Sequence, residues 1–109
     1  MPIQSGHLGG ATLPLNTDTK VYQCQAPAVA ATFTVNICNK TDTVALVRLG
    51  HGTGADMSAA GSLYYEHDEE VKPHGVLERT GLATSVGRSV FARSSVAGVD
   101  VSVYGYEKG

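Results

Sequence analysis

The densest group of side chains able to do chemistry in this 109-residue sequence is Glu66, His67, Asp68, Glu69 and Glu70, followed by His74. In an extended chain alternate residues share a face, so Glu66 and Asp68 stand together and His74 returns toward them from a turn, a spacing that suits a divalent cation. The same run also makes a charged sheet edge, which keeps strands of separate molecules from pairing. The reading taken is the solvated acidic edge, and no metal ligand is assigned.

Nucleophilic catalysis needs a Ser or Cys with a positioned His and an acid. The residue types occur, but there is no G-x-S-x-G elbow and no Cys in a recognisable catalytic context. Gly50 to Gly54, G-H-G-T-G, looks superficially like a phosphate loop, yet the Lys followed by Ser or Thr is absent and no helical periodicity follows. Residues 50–61 are therefore expected to form a flexible surface loop, of a length that often contacts partners. No catalytic, cofactor-binding or metal residue is assigned, no cofactor is expected, and the chain is read as a non-enzyme.

Three further groups bear on partners. Cys24 and Cys38 lack C-x-x-C or Cys/His ligand spacing and read as free thiols packed as small hydrophobes. Arg79, Arg88 and Arg93 have Glu78 or the acidic groups of another subunit as pairing options, a choice the sequence leaves open. Tyr104 and Tyr106 project from one side of the last apolar stretch, as an interface patch or as ordinary half-buried strand tyrosines.

Lys+Arg 8 against Asp+Glu 10 leaves a formal net charge of -2, which argues against a general nucleic-acid binder. The longest apolar run, Ala26 to Phe33, is short and interrupted by Pro27 and Thr32, so no membrane span is expected. The start, M-P-I-Q-S-G-H-L-G-G, lacks the basic region and apolar run of a secretory signal, and synthesis in a cytoplasm is expected. The apolar share, 42%, comes mainly from Val and Ala, with Tyr 5, Phe 2 and Trp 0, which predicts a thin core of the kind formed between two packed sheets.

Period-two alternation supplies those sheets. It is clearest in Val99 to Tyr106, where Val99, Val101, Val103 and Gly105 oppose Asp100, Ser102, Tyr104 and Tyr106. Further strands are expected over Lys20 to Cys24, Val29 to Asn39 with Phe33, Val35 and Ile37 inward, and Thr43 to Leu49, the last covered on both faces except at Arg48. Ser62 to Val71 precedes a type I turn at Lys72 to Gly75, and Gly75 to Thr84 pairs with Arg88 to Ser94 around Ser85 to Gly87. Residues 1–19, rich in Gly, Thr, Asn and Pro, show no period and read as an irregular arm that either stays disordered or lies along a neighbouring subunit. The expected fold is all-β: a single antiparallel β-sandwich or jelly roll of seven to eight short strands over residues 20–109, preceded by the arm.

Several blocks then point to a family. V-Y-Q-C (Val21 to Cys24), V-N-I-C-N (Val35 to Asn39), V-R-L (Val47 to Leu49), G-V-L-E-R-T-G (Gly75 to Gly81) and V-S-V-Y-G-Y-E (Val101 to Glu107) resemble, in content and order, small structural proteins of tailed bacteriophages. His74 stands where such proteins have Asn, and the G-H-G-T-G-A-D loop is a local elaboration. The resemblance implies a β-sandwich subunit of the virion. It would be a capsid decoration (cement) protein stabilising the head shell, with a neck, tail or baseplate accessory protein as the alternative; a carbohydrate- or receptor-binding module is the alternative that a sandwich offers by itself, since its loops suit ligands. Its expected partners are phage capsid or tail proteins and further copies of itself as a homo-oligomer, with no nucleic acid and no membrane. The few aromatics outside the strands speak against the carbohydrate alternative, since sugar faces stack on exposed rings.

Overall fold

Alternation of apolar and polar residues becomes eight strands in the computed structural model, which describes residues 3–109; the first two residues of the segment read as an arm lie outside it. The strands are Ser5–Leu13 (β1), Thr19–Gln23 (β2), Ala30–Asn39 (β3), Ala45–Gly52 (β4), Leu63–Val71 (β5), Val76–Ser85 (β6), Ser89–Ser94 (β7) and Val99–Lys108 (β8). One sheet has the order β1-β8-β3-β6 and the other β2-β7-β4-β5, with every strand pair antiparallel. Only the β4–β5 connection stays within a sheet; each of the others crosses from one sheet to the other. That order is the jelly roll, in which two Greek keys share one core.

The inward faces are those the alternation predicts. Phe33, Val35 and Ile37 of β3 and Val99, Val101 and Val103 of β8 face Ala45, Val47 and Leu49 of β4 and Val90 and Ala92 of β7, all buried in one cluster. Cys24 is a free thiol packed fully buried in this cluster, whereas Cys38, also free, alternates with Ile37 onto the outer side of β3 and is half-buried.

The arm is a correction. Ser5–Leu13 pairs with β8 along its length, from Ser5 opposite Tyr106 to Leu13 opposite Val99, with a bulge between His7 and Gly9. The domain therefore does not begin at residue 20. Glycines misled because they read as chain breakers, whereas here they permit contact: a Cβ on Gly9 would lie 2.1 Å from the Val21 carbonyl oxygen, and one on Gly10 2.4 Å from that of Val101. Gly9 thus brings β1 against β2, where the two sheets meet. Glu107 fastens the start of β1, its Oε1 accepting from the Gln4 amide at 2.9 Å while its own amide donates to the Gln4 carbonyl at 2.9 Å.

Two turns also differ from expectation. His74 has φ 60°, so Lys72 to Gly75, closed by the Gly75 amide on the Lys72 carbonyl at 2.8 Å, is a type II turn and not type I. The segments on either side of Ser85 to Gly87 are not a hairpin, because β6 and β7 belong to opposite sheets.

The 50–61 region is likewise not a free loop. Val90 and Ala92 join the core, so Phe91 between them faces the outside of its sheet, yet it is buried. Gly50 is its register partner, and a Cβ there would meet Met57 Cε at 2.3 Å; Met57 is itself buried and its amide donates to Asp18 Oδ2 at 3.1 Å. The loop folds back over this half of β4 as a lid. The other half stays open, with Leu46 40% exposed, so β4 is covered on both faces only toward its end.

Asn39 closes the opposite end of the sandwich. Fully buried, its Nδ2 donates to the carbonyls of Thr43 at 2.8 Å, Val71 at 3.0 Å and Lys72 at 3.2 Å, and its Oδ1 accepts from the Thr41 amide and hydroxyl.

Two stability outcomes follow from these contacts. Asn39→Ala removes all of these bonds from a fully buried site and should lower the unfolding free energy by roughly 2–4 kcal/mol in urea denaturation. Met57→Ala uncovers Phe91 and should cost about 2 kcal/mol, with Phe91 becoming accessible to solvent by NMR; an unchanged midpoint would mean the lid contributes no packing.

Candidate functional site

The acidic group is the first test of a site, and the strands disperse it. Glu66 pairs with Arg79 of β6 across the open side of the sandwich, where Tyr65 also reaches over to the Ala83 carbonyl at 3.4 Å. Arg79 thus takes an acidic partner from its own chain, and its Nη1 donates only to the backbone carbonyl of Glu78, at 3.3 Å. At Asp68 the backbone turns to φ 54°, and Glu66 and Glu69 pair with Leu49 and Val47, so two residues bulge opposite Arg48. The bulge aims Asp68 at Arg48, whose Nε and Nη2 donate to its two carboxylate oxygens at 2.8 and 3.4 Å. His67 lies edge-on to Tyr64, His74 bonds Asp42 at 2.7 Å, and Glu69 and Glu70 stay exposed on β5, which is a sheet edge. Among the described residues no three His, Cys, Asp or Glu side chains converge to hold a metal ion.

Two other titratable groups meet at the lid end. Arg88 donates to His51 Nδ1 from Nε at 3.2 Å, and His51 stacks on Tyr65 with ring centroids 4.9 Å apart. Burial first, and then the Arg88 charge, hold His51 below the ordinary imidazole range, while burial pushes the Tyr65 hydroxyl up. Burial likewise raises the Tyr22 hydroxyl, which donates to Glu107, and the neighbouring Cys24 thiol. These groups tie strands together inside the fold.

The outer face of the β2-β7-β4-β5 sheet carries a charge row that alternation alone did not reveal. Arg48 and Arg93 are direct register partners, flanked by Asp68 beyond Arg48 and by Asp18 beyond Arg93, the latter at 3.6 Å. Like charges placed opposite each other repel, and the carboxylates at either end offset this. A depression of about 200 Å³ lies here, lined by Asn16, Leu46, Arg48, Asp68, Arg93 and Ser95, with Leu15 and Val44 exposed nearby at 58% and 42%.

The outer face of the β1-β8-β3-β6 sheet is different. Tyr104 and Tyr106 stand on it 40% and 72% exposed, opposite Thr34 and Thr32 of β3. Between them runs a depression of about 310 Å³ lined by Gly6, Thr32, Phe33, Thr34, Gly81, Tyr104, Gly105 and Tyr106. The Tyr104 hydroxyl donates to Glu78 Oε2 at 2.9 Å, and that bond raises its pKa. Tyr106 at 72% exposure is not a half-buried strand tyrosine, while Tyr104 bridges to β6 through Glu78.

No family model, no curated protein and no solved structure matches this chain. The site must therefore be read from its own geometry. Sequence reasoning singled out the tyrosines but missed Asn39, the Met57 lid and the Arg48–Arg93 pairing. Arg48 alone was legible, since an Arg inside V-A-L-V-R-L must leave an otherwise apolar strand on its outer side, but its partner was not.

The Arg48 hydrogen bonds hold the Asp68 carboxyl below its ordinary range. A lowered carboxyl pKa adds stability that is present above the unfolded value of about 3.9 and lost as pH falls through the folded one. In an NMR titration Asp68 should therefore titrate below about 3.9, and Arg48→Gln should bring it back toward that value; an unmoved Asp68 would show the pair does not form in solution.

Proposed function

We propose that this protein is a non-enzymatic structural protein of a tailed-phage particle, bound to the head shell as a decoration subunit. The observation that carries the reading is the open half of the β2-β7-β4-β5 face. There Leu15, Val44 and Leu46 lie exposed beside the paired guanidinium groups of Arg48 and Arg93. Interfaces enrich Arg and have a more apolar buried core, and both Args sit on strands in mid-sheet rather than on loops, so the patch is pre-organised. A shell carboxylate entering between the two Args relieves their mutual repulsion, which gives the face a preferred partner chemistry. The jelly-roll order supports the reading by fold-level analogy, as does the block resemblance to phage structural proteins.

Many copies on a symmetric shell allow a modest interface to hold, and self-association into a closed oligomer would multiply the contacts further. Mass spectrometry and imaging of purified virions test the proposal: the protein should be present in many copies on the head. Arg48→Glu should leave the fold intact and reduce occupancy at least about tenfold, the effect of losing an interface anchor. Abundance in the lysate with absence from intact particles would refute the reading, and density at the neck, tail or baseplate would move the subunit there.

A further inference from the structure

The trough on the opposite sheet has a floor without side chains. Gly6 of β1 pairs with Gly105 of β8, Gly105 pairs with Phe33 of β3, and Phe33 pairs with Leu82 of β6, next to Gly81. Phe33 turns its ring into the core, so across all four strands this row shows backbone to the outside. The flanking rows on β8 and β3 project outward, Tyr104 with Thr34 on one side and Tyr106 with Thr32 on the other. At both ends the trough is open, since a Cβ on Gly6 or Gly81 would meet nothing within 4 Å.

We propose that this trough binds a neutral carbohydrate chain, lying across the strands with sugar rings against Tyr104 and Tyr106. Four features point to that ligand. Every side chain lining the trough is uncharged, so an anionic chain finds no counter-charge there, and the carboxylate nearest it, Glu78, is already engaged by the Tyr104 hydroxyl and the Asn36 amide. Two exposed phenol rings on one face offer flat apolar surface with a polar edge, matching the apolar C–H face and the peripheral hydroxyls of a pyranose. Acceptors and donors stand at the rim: the Thr32 and Thr34 hydroxyls, and beyond Tyr104 the Glu78 carboxylate, whose Oε2 takes the Tyr104 hydroxyl and the Asn36 amide. A proline-rich peptide would stack on the rings and offer carbonyl acceptors to the threonine hydroxyls, but its prolines carry no N–H for Glu78, whereas sugar hydroxyls both donate and accept. Finally, open ends suit a polymer passing through, and about 310 Å³ is at the small end of the roughly 300–1,000 Å³ typical of ligand sites, so only one or two rings are gripped at a time.

The expectation that few aromatics disfavour sugar binding therefore applies to the loops and not to the sheet. This site lies on the sheet opposite the one proposed to face the shell, so the two can be occupied together and neither proposal depends on the other.

The test uses the intact protein with three neutral probes, cellohexaose, laminarihexaose and maltohexaose, each titrated to about 5 mM so that millimolar sites are seen. With Trp 0 and Tyr 5, intrinsic fluorescence reports tyrosines alone, and calorimetry gives the affinity. At least one probe should saturate, with chemical-shift changes confined to β8, β3 and their neighbours. Tyr106→Ala should keep the wild-type melting temperature, because that side chain is 72% exposed, and weaken binding at least about tenfold. Tyr104→Phe keeps the ring and loses the bond to Glu78, and should weaken binding less than Tyr106→Ala does. Arg48→Glu protein should bind the sugar as wild type does. Failure of all three probes to saturate, binding indifferent to Tyr106→Ala, or a proline-rich peptide binding the trough in their place would each overturn the proposal while leaving the shell-binding reading intact.

Discussion

One buried amide fixes the end of the sandwich on which the sheet order depends. Asn39 ends β3, the strand from which both β8 and β6 take their register. Its side chain holds the carbonyls of Thr43, on the crossing to β4, and of Val71 and Lys72, on the crossing from β5 to β6. Its backbone amide bonds the Gly75 carbonyl at the far side of that second crossing. The Lys72 carbonyl also takes the Gly75 amide and the Thr43 carbonyl the Thr41 hydroxyl, so Asn39 adds a buried tie to bonds that already close both crossings. Both crossings then deliver their strands to opposite sheets without leaving backbone groups unpaired.

A core made chiefly of valine and alanine imposes a second constraint. Short side chains fill little depth, so the sheets gain contact only where their backbones come close, and glycine is what permits it. Gly9 lets β1 approach β2, since a Cβ there would stand 2.1 Å from the Val21 carbonyl oxygen. The chain compensates for the thin interior by building a second small apolar layer outside it. Phe91, Gly50 and Met57 form that layer, held by Asp18. The result is asymmetric: one sheet carries a lid over half of its outer face, the other is bare.

How much of this is legible in the sequence depends on how local each signal is. Strands β2 to β8 and their inward valines are legible, because a period of two is carried by neighbouring residues. Sheet membership is not, since β6 and β7 are consecutive in sequence but their partners, β3 and β4, lie far back along the chain. A glycine-rich stretch reads alike whether it breaks a strand or lets one approach another, which is why β1 is hidden. The acidic run is hidden for a different reason. A strict alternation puts Glu66 and Asp68 on one face, but the left-handed backbone at Asp68 breaks the period and sends the two carboxylates to different arginines. Of the candidate surfaces, only the Tyr104 and Tyr106 alternation could be read in advance; the opposed Arg48 and Arg93 come from strands that pair across more than forty residues.

The two outer faces therefore differ in the physics by which each would hold a partner. On one, repulsion between opposed guanidinium groups is only partly offset by Asp18 and Asp68, and the Asp18 contact is loose at 3.6 Å. Any carboxylate presented between the arginines gains from both, so attraction there is electrostatic, specific in sign, and weakened by salt. On the other, the trough's own lining is uncharged and its two rings sit on either side of Gly105, where a Cβ would stand 2.1 Å from the Thr32 carbonyl oxygen. Contact there depends on apolar area and short-range hydrogen bonds, and salt leaves it largely untouched. Gly105 keeps the floor between Tyr104 and Tyr106 bare, because any side chain there would collide with the Thr32 carbonyl, so the gap between the two rings is set by the β8 backbone itself.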